Sequence, residues 1–369
     1  MTKSCIHGFA RLTSCILRHI INPNLRTGRC VDLPKGFGAL VPGPLVFYGE
    51  FMIDKNFTTF ERQVEILKQR NMIFGSEETA IRYLIRYGYY NIVNGYKDPF
   101  VYIENGKEYY KNGTTFEHLF DLYYLDRNIR SVIMNSMLEV EDNLRTALGH
   151  TLAESFTADQ TKYLNRTNFR LGNWRAKDNE YQLDGLMRKF NNILSDNSQP
   201  FKHYREDYHN IPPWILLKGA SFGNIVNFIK LQKGPQKDRI ISLIYGIPAT
   251  LVRDQEIREL FMDTIFMCHD YRNCAAHGGR IYNHSTKASF RYNVLLHKKH
   301  SIKEADYRSG IWRTGIPALC ASLYYLDNLR PVITLRSGIA YYYNEYLKKY
   351  PEDKNYLDRY LKMPAHEEY

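Results

Sequence analysis

The stretch TFEHLFDLYYLDRNIRSVIMNSMLEVEDNLRTALGHTLAE, Thr115 to Glu154, decides the fold class. It holds no proline. Leu119, Leu122, Leu125, Ile129, Val132, Ile133, Val140, Leu144, Leu148 and Leu152 recur at helical spacing and give it one apolar face. The pattern predicts a single helix about 60 Å long at 1.5 Å per residue, or two helices joined by a kink. Glu141 and Arg145 lie four apart on it, at ion-pair spacing. Such a pair usually decorates a surface, and it gains interest only if this helix packs beside another charged group.

Working outward, the same period predicts helices over 180–194, 213–232, 237–244, 251–276 and 317–349, the last broken before Pro331. Upstream, Thr58 to Glu61 has capping-box character and starts a short amphipathic helix. Ser76 opens a second helix, which Gly88 closes. The run Val101 to Tyr110 reads as a hairpin turning at Asn105-Gly106, the one convincing β signal in the chain. There is no βαβ alternation, no internal repeat and no phosphate-binding glycine loop. The expected fold is an all-α, bundle-type protein with a small N-terminal helical and hairpin portion.

The expected domain boundaries are 52–114 for that portion, 115–350 for the main helical domain and 351–369 for a C-terminal tail. Residues 1–51 differ from the rest. They carry three of the six cysteines, no acid before Asp32, and a Gly/Pro cluster from Pro34 to Pro44. This basic start superficially resembles a transit peptide. The preferred expectation is a disordered or mis-annotated leader, with translation starting at Met52.

One hexapeptide carries the chemistry: Arg272-Asn273-Cys274-Ala275-Ala276-His277, followed by Gly278-Gly279. The glycine pair is expected to stop the preceding helix. A guanidinium can hold a phosphate through paired hydrogen bonds, and an imidazole can move protons near neutral pH. On an ideal helix, positions five apart differ by about 140° in direction. Arg272 and His277 therefore cannot face one point unless the last turn unwinds or two copies of the motif combine. The second option predicts a twofold homodimer. The bland alternative is a histidine capping a helix C-terminus, where positive charge is favourable.

The surroundings favour an anionic partner. Lys plus Arg is 50 against 39 Asp plus Glu, a formal net charge of +11. From Tyr271 to Lys303 there is no acid, while Arg280, Lys287 and Arg291 join Arg272 there among tyrosines and histidines. A second acid-free stretch, Gln160 to Lys177, carries Lys162, Arg166 and Arg170 four apart, on one face if the segment is helical. Basic groups neutralise phosphates and aromatic faces stack on unpaired bases, so both stretches are candidate RNA contacts. A solvated basic surface is the competing reading. No apolar run is long enough to span a membrane. The cysteines show no C-x-x-C pair, and Cys268, His269, Cys274 and His277 match no usual zinc spacing. No metal or other cofactor is expected, and a reducing cytoplasm fits best.

Residues from about Phe57 to Tyr346 resemble bacterial abortive-infection proteins of the AbiD/AbiF type, which carry a HEPN domain. The matching pieces stand in order along the chain. They are Gln63 to Arg70, Gly88-Tyr89-Tyr90 with Gly95 to Phe100, Leu125-Asp126-Arg127, Val140 to Arg145, Pro213-Trp214, Ser221-Phe222-Gly223, and Arg272 to His277 with Arg280 to Asn283. The resemblance implies a HEPN helical bundle in which Arg-x4-His is a ribonuclease motif. Arg272 and His277 are then the catalytic candidates, with Asn273 as the polar neighbour. It also implies metal-independent cleavage of RNA by a homodimer that joins two motifs. Similar proteins act as toxins in phage defence, some neutralised by a cognate small RNA. A non-catalytic RNA-binding or regulatory module is the alternative, since a fold alone does not fix a function.

Overall fold

The computed structural model describes residues 57–362, whose buried apolar side chains form one continuous core. The leader expected over 1–51 and the start at Met52 lie outside the described residues. Helix α1 spans Phe60–Gln69, and Thr59 caps it by accepting the Arg62 amide at 3.3 Å. Helix α2 spans Glu77–Tyr87. Ser76 accepts the Thr79 amide at 3.2 Å, and Gly88, at φ 81°, closes the helix. A short π-helical turn follows over Tyr90–Asn94. Strands β1 (Val101–Glu104) and β2 (Lys107–Tyr110) pair antiparallel, with Glu104 opposite Lys107 across the Asn105-Gly106 turn.

Helix α3 spans Phe116–Phe156, 41 residues in one piece, so the kinked alternative is not adopted. Thr115 caps it through the His118 amide at 3.1 Å. The apolar positions read from the sequence are its buried face. This helix is the spine of the molecule, since most later helices pack along it. A two-residue ribbon, β3 (Trp174–Arg175) with β4 (Glu180–Tyr181), precedes α4 (Gln182–Leu194). That ribbon is a β element the sequence reading lacks. The segment 213–232 does not form one helix. It divides into a short turn of helix at Pro213–Leu216, a 3-10 turn at Leu217–Gly219, and α5 (Phe222–Leu231). The break has one local and one distant cause: Ser221 caps α5 through the Asn224 amide, and Arg145 of α3 takes the Leu217 carbonyl at 3.1 Å.

Helix α6 spans Gly234–Tyr245 and α7 spans Gln255–Ala276. Asp254 starts α7 later than the sequence pattern suggests, because its carboxylate accepts the Glu256 amide at 2.8 Å and leaves Leu251–Arg253 as a separate 3-10 turn. The last predicted helix is broken as expected, into α8 (Ile316–Leu323) and α9 (Arg330–Lys349). Helix α3 packs most extensively on α9, then on α7 and α6. The stretch read as a tail begins with a 3-10 turn and continues into α10 (Lys354–Leu361), whose Leu357 and Leu361 are buried. The Tyr356 and Tyr282 hydroxyls meet at 2.6 Å and tie α10 to the loop after α7. No helix among the described residues is long and apolar enough to cross a membrane.

Candidate functional site

Helix α7 carries the hexapeptide to its end. His277 is the C-cap residue, and its amide still reaches the Asn273 carbonyl at 3.0 Å. The last turn is therefore not unwound. Gly278 then takes φ 72°, its amide bonds Ala275 at 3.4 Å, and the Gly279 amide reaches back to Cys274 at 2.9 Å. This pair of bonds is a Schellman closure, which needs a residue tolerant of positive φ at Gly278.

Because the helix is intact, Arg272 and His277 diverge. The Arg272 Nε lies 3.7 Å from Oε2 of Glu141, a carboxylate buried on α3. The other oxygen of Glu141 accepts from Arg145 at 2.7 Å. Glu141 thus sits between two guanidinium groups, and the ion pair at 141–145 lies beside the motif arginine. His277 is exposed and opens instead onto a cleft of about 890 Å³. Arg272 does not line that cleft. The two ends are anchored at different heights on α3: Arg130 donates to the Gly278 carbonyl at 2.7 Å, whereas Glu141 meets Arg272. At 1.5 Å per residue, roughly 16 Å of helix rise separates Arg130 from Glu141.

Asn273 bonds back along its own helix. Its amide donates to the His269 Nε2 at 2.9 Å. Burial holds the His269 imidazole below its usual range, and neighbouring Arg272 acts in the same direction, against Asp270. His269 is therefore the neutral acceptor that this bond requires. It fits against α5 only because position 223 is glycine. A Cβ there would come within 2.8 Å of the His269 Nε2. Cys274, inside the motif, donates to the Arg280 carbonyl, and burial pushes its thiol up to about 11, so it is a poor nucleophile near neutral pH.

The loop after the helix is locked from below by Asp126. One of its carboxylate oxygens accepts the Ile281 and Tyr282 amides at 2.9 and 2.7 Å, and the other accepts the Tyr96 hydroxyl at 2.5 Å. Burial pushes this carboxyl up, against those three donors and Arg130, which favour its charged form. Arg280 donates to the Gly95 carbonyl and to Asp98, each at 2.7 Å. Pieces of sequence far apart, 95–98, 125–127 and 278–282, thus meet at the His277 end. The pieces 141–145, 221–223 and 269–273 meet at the Arg272 end.

The expected RNA-contacting residues fall into distinct settings. Arg280 lines the cleft but is paired to Asp98. Arg291 is held by Asp263 at 2.9 Å and Glu259 at 3.3 Å. Lys287 is exposed. Arg166 forms a two-pronged pair with Asp184 at 2.7 and 3.1 Å, Lys162 lies 3.9 Å from Asp159, and Arg170 is exposed. These last three do not share one helix face, because the segment is a short helix at Gln160–Tyr163 and a separate 3-10 turn at Arg166–Asn168. For Arg166, Arg280 and Arg291 the acids absent from their own stretch come from elsewhere in the chain.

The model of the Abi-like protein family matches residues 82–283, more than half of the chain. The chain belongs to the Abi-like protein family. The match runs from within α2 to the loop after α7, so it contains both ends of the site described above. Family membership suggests a role in abortive-infection defence against phage. Comparisons with curated proteins and with solved structures returned no match. Within this Abi-like chain, Tyr90, Arg127 and Arg130 also line the cleft and His269 holds Asn273, and the sequence alone assigned none of them a role. Arg127 and Arg130 had one usable signal: they are three apart on α3, beside the Leu125-Asp126-Arg127 piece.

Proposed function

We propose that this Abi-like protein is a metal-independent endoribonuclease of the HEPN type, acting as a toxin component of cytoplasmic phage defence. Arg272 of one copy works with His277 of a second copy in a composite homodimer site. The observation that carries this reading is the divergence of the two side chains on an unbroken helix end: an exposed imidazole on a cationic cleft, and a guanidinium held by Glu141 about one and a half turns back along α7. Within one chain the two side chains open onto different surroundings, His277 onto the cleft and Arg272 onto Glu141. A twofold partner would bring the missing member of each pair.

In the proposed reaction, His277 assists proton transfer at the ribose 2′-hydroxyl or at the leaving oxygen. The 2′-oxygen attacks phosphorus, the bond to the 5′-oxygen breaks, and the products are a 2′,3′-cyclic phosphate and a 5′-hydroxyl. Arg272 stabilises the charge that develops on the phosphate oxygens. Asn273, held by His269, keeps its side of the motif in place. DNA lacks the 2′-hydroxyl and is not cut by this route. The test is incubation of wild type and His277→Ala protein with labelled single-stranded RNA in EDTA. Cleavage by the wild type alone, with cyclic ends, supports the reading. Cleavage that needs Mg²⁺, or that survives the double change Arg272→Ala plus His277→Ala, overturns it. RNA binding with no cleavage in either protein favours the alternative, a non-catalytic RNA-binding or regulatory module.

A further inference from the structure

The cleft beside His277 has a composition of its own. Its walls carry Arg127, Arg130 and Arg280, the amide side chain of Asn91, and the ring of Tyr90. The three guanidinium groups are not equivalent. Arg280 is neutralised by Asp98, and Arg130 is drawn to the Gly278 carbonyl with the buried Asp126 3.8 Å behind it. Arg127 is exposed, and among the described residues no carboxylate pairs with it. Its contacts are a long 3.5 Å bond to the Tyr123 hydroxyl and the face of the Tyr87 ring, 5.3 Å from the centroid. Those contacts orient the guanidinium and leave its charge uncompensated.

Tyr90 is the second unusual group. It is 73% exposed, although the residues that follow it in the same π-helical turn, Ile92 and Val93, are fully buried. Single π-turns are rare and favour functional sites. This one anchors itself through Ile92 and Val93 and leaves Tyr90 exposed among the residues that line the cleft. An exposed aromatic ring and an uncompensated guanidinium lining the same cleft match the two parts of a nucleotide: a base to stack and a phosphate to neutralise.

We propose that Arg127 and Tyr90 form a subsite for a nucleotide flanking the scissile phosphate, Arg127 holding its phosphate and Tyr90 stacking on its base. The inference rests on the ribonuclease reading, because that reading supplies single-stranded RNA as the occupant. The subsite reads no base edge, so it tolerates any sequence and adds affinity and register next to His277.

The test measures binding separately from cleavage. A short fluorescein-labelled single-stranded RNA of mixed sequence is titrated with His277→Ala protein in EDTA, across a salt series, by fluorescence anisotropy. Tyr90→Ala, Tyr90→Phe, Arg127→Gln and Arg127→Lys are each added to that background, and their melting curves confirm that they fold. Arg127→Gln is expected to weaken binding and to lower the slope of log K against log salt by about 0.7, one single-strand phosphate contact. Arg127→Lys keeps the slope. Tyr90→Ala weakens binding roughly tenfold with the slope unchanged, and Tyr90→Phe retains affinity. RNA binding that is the same in all five proteins overturns the subsite and leaves the nuclease reading standing. Absence of RNA binding overturns the subsite as well, and the cleavage assay then decides the nuclease reading by itself.

Discussion

The Nε of Arg272 and the Oε2 of Glu141 face each other across 3.7 Å, and neither makes a hydrogen bond among the described residues although both atoms are buried. That distance is too long for a hydrogen bond and short enough for charge attraction. The other Glu141 oxygen is fully engaged by Arg145, so one carboxylate serves two cations. The motif arginine is held at a fixed height on α3 and keeps part of its fork in solvent, at 29% side-chain exposure. An arginine placed this way can meet a phosphate without first being desolvated.

Glu141→Gln removes the charge and keeps the shape. Arg272 then loses its carboxylate partner, while Arg145 keeps its ion pair with Asp142. Breaking a buried pair costs about 3–5 kcal/mol, and the partial exposure of Arg272 and Arg145 reduces this to about 1–3 kcal/mol. Urea unfolding of the variant against wild type measures it. A loss in RNA cleavage larger than the loss in folded fraction is expected as well, since Arg272 loses its anchor.

Asp126→Asn exchanges an acceptor-only side chain for one with a donor amide. The three donors Ile281, Tyr282 and Tyr96 cannot all be satisfied, and at least one is left buried and unpaired. A destabilisation of about 1–3 kcal/mol is expected. Faster amide exchange confined to the 278–282 loop would report the same loss locally.

His269 gives the fold a pH dependence of defined sign. Burial lowers its folded-state pKa below the ordinary value of 6.5, with Arg272 adding to the shift and Asp270 opposing it. The unfolded chain therefore binds the proton first as pH falls below that value. The stability that neutral His269 supplies is present above pH 6.5 and is lost as pH drops toward the lowered folded-state value. Protonation also removes the acceptor that Asn273 uses. Denaturation midpoints at pH 5 and pH 7.5 should differ more for wild type than for His269→Gln, and an equal pH response in the two proteins would refute the assignment.

Gly223→Ala tests the same contact from the opposite side. Its Cβ would enter within 2.8 Å of the His269 ring, which must move and release Asn273. Overpacking of this kind costs about 1–3 kcal/mol. A thermal melt measures it.

The fold was legible where one physical signal dominated. The apolar face of α3, the Ser76 cap, the Gly88 stop and the Asn105-Gly106 turn are all local, and each forms as read; the first helix starts where expected but is capped by Thr59 onto the Arg62 amide rather than by a Thr58–Glu61 capping box. The break inside 213–232 was not legible, because Arg145, far away in sequence, takes the Leu217 carbonyl. Charge behaved likewise. The run from Tyr271 to Lys303 holds no acid, yet Asp98 reaches Arg280, and Asp263 with Glu259 reaches Arg291. A count along the chain cannot register acids that arrive from other helices. Arg127 shows the converse: it lies in an ordinary mixed-charge stretch, and only the packing around it leaves its charge uncompensated. The divergence of Arg272 and His277 was legible, since it follows from helix geometry alone. What lies at each end required the coordinates.

The composite site joins Arg272 of one copy to His277 of another in the proposed reaction. Mixing Arg272→Ala protein with His277→Ala protein tests it most directly, with each inactive variant assayed alone on labelled RNA in EDTA and then after subunit exchange. A mixed dimer keeps one intact Arg272–His277 pair across the interface, so the account predicts recovery of up to about a quarter of wild-type cleavage, with half the dimers mixed and one of two pairs intact. No recovery after subunit exchange has been demonstrated, or full activity from protein that stays monomeric, would contradict it.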